Sequence, residues 1–339
     1  MKKPMFIFAV ETSCDDTSVC IMEDNKKILS HITHSQKEHV KFGGIVPELA
    51  SRSHLSILQK ISKRALFEAK LKFGDIDYFC ATCGPGLIGS LLVGSIFCKS
   101  LSIKGNKPFY PINHLEGHVL STSYNNNITY PHLVILLTGG HTQIYLMQKL
   151  GMYEMLGETL DDAMGEAFDK VGKLIGLRFP GGPKIEKEAL LGRDDRFKIP
   201  HPLLKEKTLN FSFSGIKNYV NQLVKMNYPV DDIFVKDLSA CFQKKMFDII
   251  EHKILYCLEI LQQRKIKILQ ISIVGGVAAN QFIKKNLAKS LDKKNIDLLT
   301  PLKNMTGDNA AMIAWTCSKK IFNSKPNIFF NANPRLELK

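Results

Sequence analysis

Long hydrophobic runs are missing from this chain. Its longest apolar stretches, SLLVGSIFC and HLVILLTGG, fall far short of the ~20 residues a membrane span needs, so no membrane association is expected. A cleavage site is missing too. The basic, apolar start MKKPMFIFAV runs straight into ETSCDDT, and reads as a first β-strand rather than a signal peptide. No GxxxxGK[ST] segment occurs, which disfavours a P-loop ATPase. No second pair accompanies Cys80-Ala-Thr-Cys83, so that lone CxxC is a weak zinc signal. Arginine is scarce, at seven of the 46 basic residues. No low-complexity linker breaks the chain, which argues for two packed lobes and against two tethered domains.

What is present fits an ordinary globular protein. A length of 339 residues, 45% hydrophobic and 23% charged, suits two domains or one duplicated fold. Cys14, Cys20, Cys80, Cys83, Cys98, Cys241, Cys257 and Cys317 lie mostly inside apolar runs, as buried reduced thiols do, so a cytoplasmic location is expected. The net charge of +14 suits a polyanionic partner. That signal is discounted because lysine, isoleucine and asparagine are all abundant, as AT-rich codon usage produces. Lys284, Lys285, Lys289, Lys293 and Lys294 read as the solvated face of one helix.

The organisation is strand-rich at two places. PMFIFAV, the turn ETSCDDT and the returning SVCIM form one strand-turn-strand unit; HLVILL, TGGHT and QIYLM form another, one per half. PELASRSHLSILQKISKRALFEA predicts a helix burying Leu55, Leu58, Ile61, Ala65 and Leu66. GETLDDAMGEAFDKVGKLIGL predicts a second, opened by a capping box of Thr159 and Asp162 and stopped at Gly176. KIKILQISIV predicts a buried strand ending at Gly275-Gly276, with the helix NQFIKKNLAKSL after it. FPGGPKIE and FKIPHPLLKEKTLNFSFSG read as loops of a lid or insertion. Strands alternating with helices make this an α/β fold.

His114 and His118, in HLEGH, are four apart, which on a helix puts both imidazoles on one face, able to share a metal. Glu116 lies two residues from each, about 200° around the helix, so it cannot be the water-activating base of an HExxH protease. A third ligand must come from elsewhere among 32 carboxylates. Thr138-Gly139-Gly140-His141 lies between two strands; its glycines let backbone approach a phosphate or carbonyl, or make a plain hairpin turn. Gly275-Gly276, at a strand end before a helix, is where α/β folds hold nucleotides. Asp15 and Asp16 either orient water, metal or a nucleophile's proton, or stabilise their own turn. His31, His34, His39 and His54 show no helix-face spacing with a matched carboxylate.

Taken in order, ETSCDDT, GGIVPELASRSH, GPGLIGSLLVG, PINHLEGHV, LLTGGHTQIY, GETLDDAMGEAFDKVGKLIGL, FPGGP, FSFSGIKN, VGGVAAN and TGDNAAMIAW are more specific than any one of them. Together, from about residue 5 to residue 325, they closely resemble the bacterial tRNA threonylcarbamoyladenosine transferase family TsaD, once described as O-sialoglycoprotein endopeptidases. The resemblance implies the fold of actin, hexokinase and the chaperone ATPases, with two ribonuclease-H-like lobes and a ligand cleft between them. The lobes would be 1–113, completed by 304–325, and 130–303, with the loop-rich insertion 178–215. It implies transfer of threonylcarbamoyl from threonylcarbamoyl-AMP to N6 of the adenosine next to the anticodon, in tRNAs reading codons that begin with A.

Carried over motif by motif, His114, His118 and Asp308 of TGDN would bind one divalent metal, Fe(2+) or Zn(2+). Leu137, Thr138, Gly139, Gly140 and His141 would line the phosphate and carbamoyl end of the donor. Asp169, Gly182, Glu186 and Asn280 would hold ribose and adenine, and Asp15 would sit near the attacking amine; on chemical grounds Asp15 or Asp16 is expected to take the amine proton. Implied partners are tRNA, the small paralogous subunit TsaB and the ATPase TsaE. Ala9 and Thr138 stand where the family usually has glycine and serine, and NANPRLEL replaces a more basic tail usually bearing tryptophan. An ATPase or sugar kinase of the same fold, a non-catalytic partner protein, and the protease label are the competing readings.

Overall fold

The computed structural model describes residues 4–24 and 26–338. The chain divides into two compact units: one runs to Asn125 and returns over Pro301–Leu338, and the other is Asn126–Thr300.

The first unit opens with β1 (Phe6–Glu11), β2 (Asp16–Glu23) and β3 (Ile28–Ser35). Helix α1 (Pro47–Glu68) leads to β4 (Tyr78–Gly84), α2 (Ile88–Gly105), β5 (Phe109–Asn113) and α3 (His114–Ser121). The sheet order is β3-β2-β1-β4-β5. β1 pairs antiparallel with β2 and parallel with β4. β1 is buried from Ile7 to Glu11, the unbroken run of a central strand covered on both faces. Ala9, opposite Cys20, is fully buried.

The second unit holds β6 (His132–Leu137), β7 (Thr142–Lys149), β8 (Met152–Glu158), α4 (Met164–Leu174), α5 (Gly181–Ala189), α6 (Ser214–Met226), α7 (Asp232–Gln263), β9 (Gln270–Val274), α8 (Gln281–Asp292) and β10 (Asp297–Leu299). Its sheet order is β10-β9-β6-β7-β8. β6 pairs antiparallel with β7 and parallel with β9. Written from the hairpin side, both sheets have the same connectivity. The strand-turn-strand device seen twice in the sequence is therefore the seed of the same five-stranded sheet in each unit. The chain then returns to the first unit through α9 (Ala310–Lys320), buried from Ala310 to Ser318.

Several local expectations need correcting. FPGGPKIE is not a loop: Gly181 begins α5, with Pro180 as the residue before its first turn. α4 starts at Met164 rather than at a Thr159–Asp162 capping box, because Thr159 is drawn into a bridge with Phe211 and its hydroxyl donates to the Asp162 carbonyl. Gly176 does follow the helix in the left-handed region, at φ 79°. On α1, Leu58, Ile61 and Ala65 are buried, but Leu55 is 72% exposed. The neighbouring His54 takes the inward position, between the Thr17 hydroxyl and the Cys14 carbonyl.

Expected membrane avoidance also meets one exception in composition. Ile88–Gly105 is long and apolar enough to cross a membrane by those measures alone. Here it is the crossover helix between the parallel strands β4 and β5, so both its ends are tied to one sheet. It leaves Ile88, Leu92 and Ile96, four residues apart, exposed as an outward stripe. The CxxC pair sits in β4 as buried free thiols; burial drives Cys80 well up and Cys83 to about 12, so neither is a thiolate at neutral pH.

Candidate metal centre and nucleoside pocket

The candidate metal centre is assembled by two helix starts. β5 ends at Asn113, whose side-chain oxygen accepts from the Leu115 and Glu116 amides at 2.8 and 3.2 Å. That cap starts α3 at His114. Every residue of α3 is buried. Gly117 lets α9 come close, since a Cβ there would lie 2.9 Å from Ile313 Cδ1. α9 is capped by the Asn309 side chain, which accepts from the Met312 amide at 2.9 Å. Asp308 is the residue before that cap.

The two histidine rings lie edge to face, with centroids 4.7 Å apart. His118 Nε2 is 3.1 Å and His114 Nε2 3.5 Å from Asp308 Oδ1. All three ligand atoms lie within 4.8 Å of one another, the only such cluster of three or more among the described residues. Glu116 points elsewhere and pairs with Lys320 at 2.5 Å. Its geometry therefore excludes the water-activating arrangement of a zinc protease.

A fourth residue, missed by sequence reasoning, completes the centre. Glu11, fully buried at the end of β1, accepts from the Ser13 amide at 2.5 Å and from the Thr82 hydroxyl. Its Oε2 is 3.0 Å from His114 Nδ1. Glu11 thus accepts the hydrogen bond of Nδ1–H and leaves Nε2 facing Asp308, the carboxylate–histidine pairing common behind bound metals. The available signal was an acid closing an otherwise apolar strand.

The electrostatics suit a cation. Burial alone would lower the His114 pKa, but Glu11 and Asp308 raise it to about 10. Burial lowers His118 against the pull of Asp308. Burial would raise Asp308, but His114 and His118 hold it well below the usual carboxylate range. Burying two imidazoles beside two carboxylates is expensive unless a positive charge is shared among them. A pKa near 10 means that a proton holds this place at neutral pH when no ion does; with a divalent ion in the proton's stead, two imidazole nitrogens and one carboxylate oxygen make a donor set that fits zinc or ferrous iron.

Asp15 and Asp16 occupy the β1–β2 bend. Burial, with Asp308 nearby, raises Asp15. Burial raises Asp16 to about 7, the Ser35 hydroxyl opposing. His39 and His54 belong to a hydrogen-bond network with Gln36 and Thr17, which accounts for two of the clustered histidines without a metal.

The second unit carries a cavity of about 270 Å³. Gly139, Asp169, Gly182, Glu186, Gly276 and Asn280 are on its wall. Asp169 Oδ1 accepts from the Gly181 amide at the start of α5, at 2.6 Å. Glu186 Oε1 accepts from the Gln281 amide at the start of α8, at 2.7 Å. Asn280 caps α8 through its oxygen and donates its amide to Gln243 at 2.8 Å. Gly275, at φ 93°, has no room for a Cβ because the Leu137 carbonyl is against it.

The Thr138–His141 loop is a closed turn. The Thr138 amide donates to the His141 carbonyl at 2.8 Å, and the His141 amide to the Thr138 hydroxyl at 2.9 Å. Threonine therefore supplies the hydroxyl that serine would. Nothing lies within 4 Å of the Cβ positions of Gly139 and Gly140, so the bend is open for backbone approach. The Leu137 side chain is in the core of the second unit.

A family model described as TsaD, tRNA N6-adenosine threonylcarbamoyltransferase, matches residues 27–315. The chain is 45% identical over 317 residues to a tRNA N6-adenosine threonylcarbamoyltransferase of Rickettsia bellii (strain OSU 85-389), covering 93% of this chain and 92% of that one. It is 43% identical over 329 residues to the protein of that name from Bartonella henselae, covering 94% and 90%. Among solved structures it resembles full-length HypF in a phosphate- and nucleotide-bound form, with TM-score 0.59, 13% identity, 94% of this chain and 47% of that one. It also resembles the activator of 2-hydroxyisocaproyl-CoA dehydratase from Clostridium difficile with bound ADPNP, with TM-score 0.52, 13% identity, 96% and 98%. At such identities these two show the fold alone, that of the actin and hexokinase class.

Proposed function

The chain belongs to the TsaD family of tRNA N6-adenosine threonylcarbamoyltransferases, and from that premise we propose that it carries out this tRNA modification with threonylcarbamoyl-AMP as donor. The adenosine is the one next to the anticodon in tRNAs reading codons that begin with A. In the reaction the N6–carbonyl bond forms, the bond from that carbon to the AMP oxygen breaks, AMP leaves with the electron pair, and N6 loses a proton. An exocyclic adenine amine is a poor nucleophile, since its lone pair is delocalised into the ring. The donor must therefore be activated and its oxygens polarised.

The observation that carries this reading, within the family, is the cluster of His114, His118 and Asp308 with Glu11 fixing the tautomer of His114. When bound, a divalent ion, Fe(2+) or Zn(2+), supplies Lewis-acid polarisation of a donor oxygen. A sugar kinase or ATPase of this fold would be expected to surround magnesium with oxygen ligands, which two imidazoles do not suit. The Thr138–His141 turn offers backbone to the acyl or phosphate oxygens. The deciding experiment is nucleoside analysis of tRNA after incubation with donor and partner proteins, with and without a chelator. Unmodified tRNA without chelator would reject the assignment.

Asp16 is assigned the proton. A carboxylate with a pKa of about 7 is matched to a base working at neutral pH. The sign follows: below that value it is protonated and cannot accept, so the transfer rate should rise through pH 7. In Asp16→Asn the rate should fall ~100-fold and lose that rise. An unchanged pH profile in the variant would move the role to Asp15.

Asp169 and Glu186 are assigned the donor's ribose, where a carboxylate can accept from hydroxyls. Asp169→Ala should raise KM for threonylcarbamoyl-AMP by roughly tenfold with kcat little changed, the size of one charge-assisted hydrogen bond. Equal KM would remove Asp169 from the donor site.

TsaB and TsaE are assigned as partners and the cytoplasm as the location, the free thiols supporting the latter. The outward stripe of Ile88, Leu92 and Ile96 is where a second helical face would dock. Ile96→Glu should weaken association with the small paralogous subunit by about tenfold or more in calorimetry. Equal affinity would place the interface elsewhere.

A further inference from the structure

After α9 the described residues take no further regular structure, yet they are held tightly to the first unit. The Asn327 amide donates to the Phe109 carbonyl at 2.9 Å, at the start of β5. Lys99 of α2 donates to the Phe330 carbonyl at 2.5 Å. The Asn333 amide donates to the Cys83 carbonyl at 2.8 Å, and the Gly86 amide to the Pro334 carbonyl at 3.3 Å. Ile328 and Phe330 pack against the core of this unit, and Leu338 is buried. Gly84 leaves no room for a Cβ, because the Asn333 carbonyl and Leu336 lie against it.

The last of these contacts reaches the metal helix. The Asn113 amide nitrogen donates to the Leu336 and Glu337 carbonyls at 3.3 and 3.1 Å. The other end of the same amide caps α3. Both its donors and its acceptor are therefore committed, and its plane is fixed from two sides. α3 has only eight residues, so it holds few internal hydrogen bonds and depends on its cap and its packing. Its first residue is His114, the one whose ring must meet both Glu11 and the metal.

We propose that residues 327–338 act as a strap that positions the metal helix, and that Asn113 is the positioning residue through which the strap acts. This rests on the reading of His114, His118 and Asp308 as metal ligands. The strap contributes backbone carbonyls at Leu336 and Glu337, so its action does not depend on which side chains stand there. That gives NANPRLEL a task other than touching tRNA.

The test uses the metal alone, on the full chain. Zn(2+) affinity is measured against a competing chromophoric chelator, and the ligand geometry is read from the visible spectrum of the Co(2+) form. Asn113→Ser keeps a cap oxygen but cannot reach the strap. It should bind Zn(2+) about tenfold more weakly, the scale of outer ligand-orienting contacts, and should shift the Co(2+) bands. A chain stopped after Pro326 should do the same, and a peptide of residues 327–338 should restore it. A merely structural strap would lower the melting temperature and leave the Co(2+) bands in place. Wild-type affinity and spectrum in a folded Asn113→Ser protein overturn the proposal, whether or not the shortened chain folds. An intact chain that binds neither ion removes the metal reading itself, and the strap's purpose with it.

Discussion

Asp308→Ala should abolish threonylcarbamoyl transfer from preformed threonylcarbamoyl-AMP, by a factor of more than about 1,000, while the protein stays folded. Its carboxylate oxygen lies 3.5 Å from His114 Nε2 and 3.1 Å from His118 Nε2. Without it, two imidazoles on one helix face remain, too few to hold a divalent ion in fixed geometry. The fold should survive because α9 is capped by Asn309, not by Asp308. His114 would also keep Glu11 as its partner. His114→Ala should be equally inactive, for loss of a ligand. Nucleoside analysis of the tRNA, beside far-ultraviolet circular dichroism of each variant, measures both halves. Full transfer by either protein would take the metal out of the mechanism.

Glu11→Gln is the second large effect, and it acts without touching a ligand atom. The glutamine has the same size, but one of its ends is a donor. Three groups point hydrogens at Glu11: the Ser13 amide, the Thr82 hydroxyl and His114 Nδ1. An amide nitrogen cannot accept from any of them. Either a buried donor is left unpaired, at about 1–3 kcal/mol, or His114 turns over to the wrong tautomer. Metal affinity should fall roughly 10- to 100-fold. Adding excess Zn(2+) or Fe(2+) should restore part of the transfer rate, which Asp308→Ala would not allow. Wild-type metal affinity in Glu11→Gln would show that the helix alone orients His114.

The sequence exposed those features that are local in the chain. HxxxH needs only a helical turn to bring its rings together, and α3 provides it. The two strand-turn-strand units are hairpins between neighbours, and both became the core of a sheet. Asp308 is another matter: nothing near it marks it as a candidate ligand, and the residues alone left the third position open until the family resemblance named it. Glu11 was hidden in plain view, because its partner is 103 residues away and its burial shows only once β4 pairs beside β1 and brings Thr82 to it. PGGP reads as a loop by composition, but its first proline stands just before α5 and its second lies in the first turn, where a missing amide hydrogen costs little. Leu55 has the right spacing for the core; a histidine with three hydrogen-bond partners displaced it.

The discontinuity of the first unit bears on how the protein is made. During synthesis His118 leaves the ribosome 190 residues before Asp308. At about 5–20 residues per second the two histidines wait roughly 10–40 s for their carboxylate. The contiguous second unit is complete before then. The candidate metal centre is therefore among the last parts of the molecule able to close, and ions met earlier by the nascent chain find only an open pair of imidazoles.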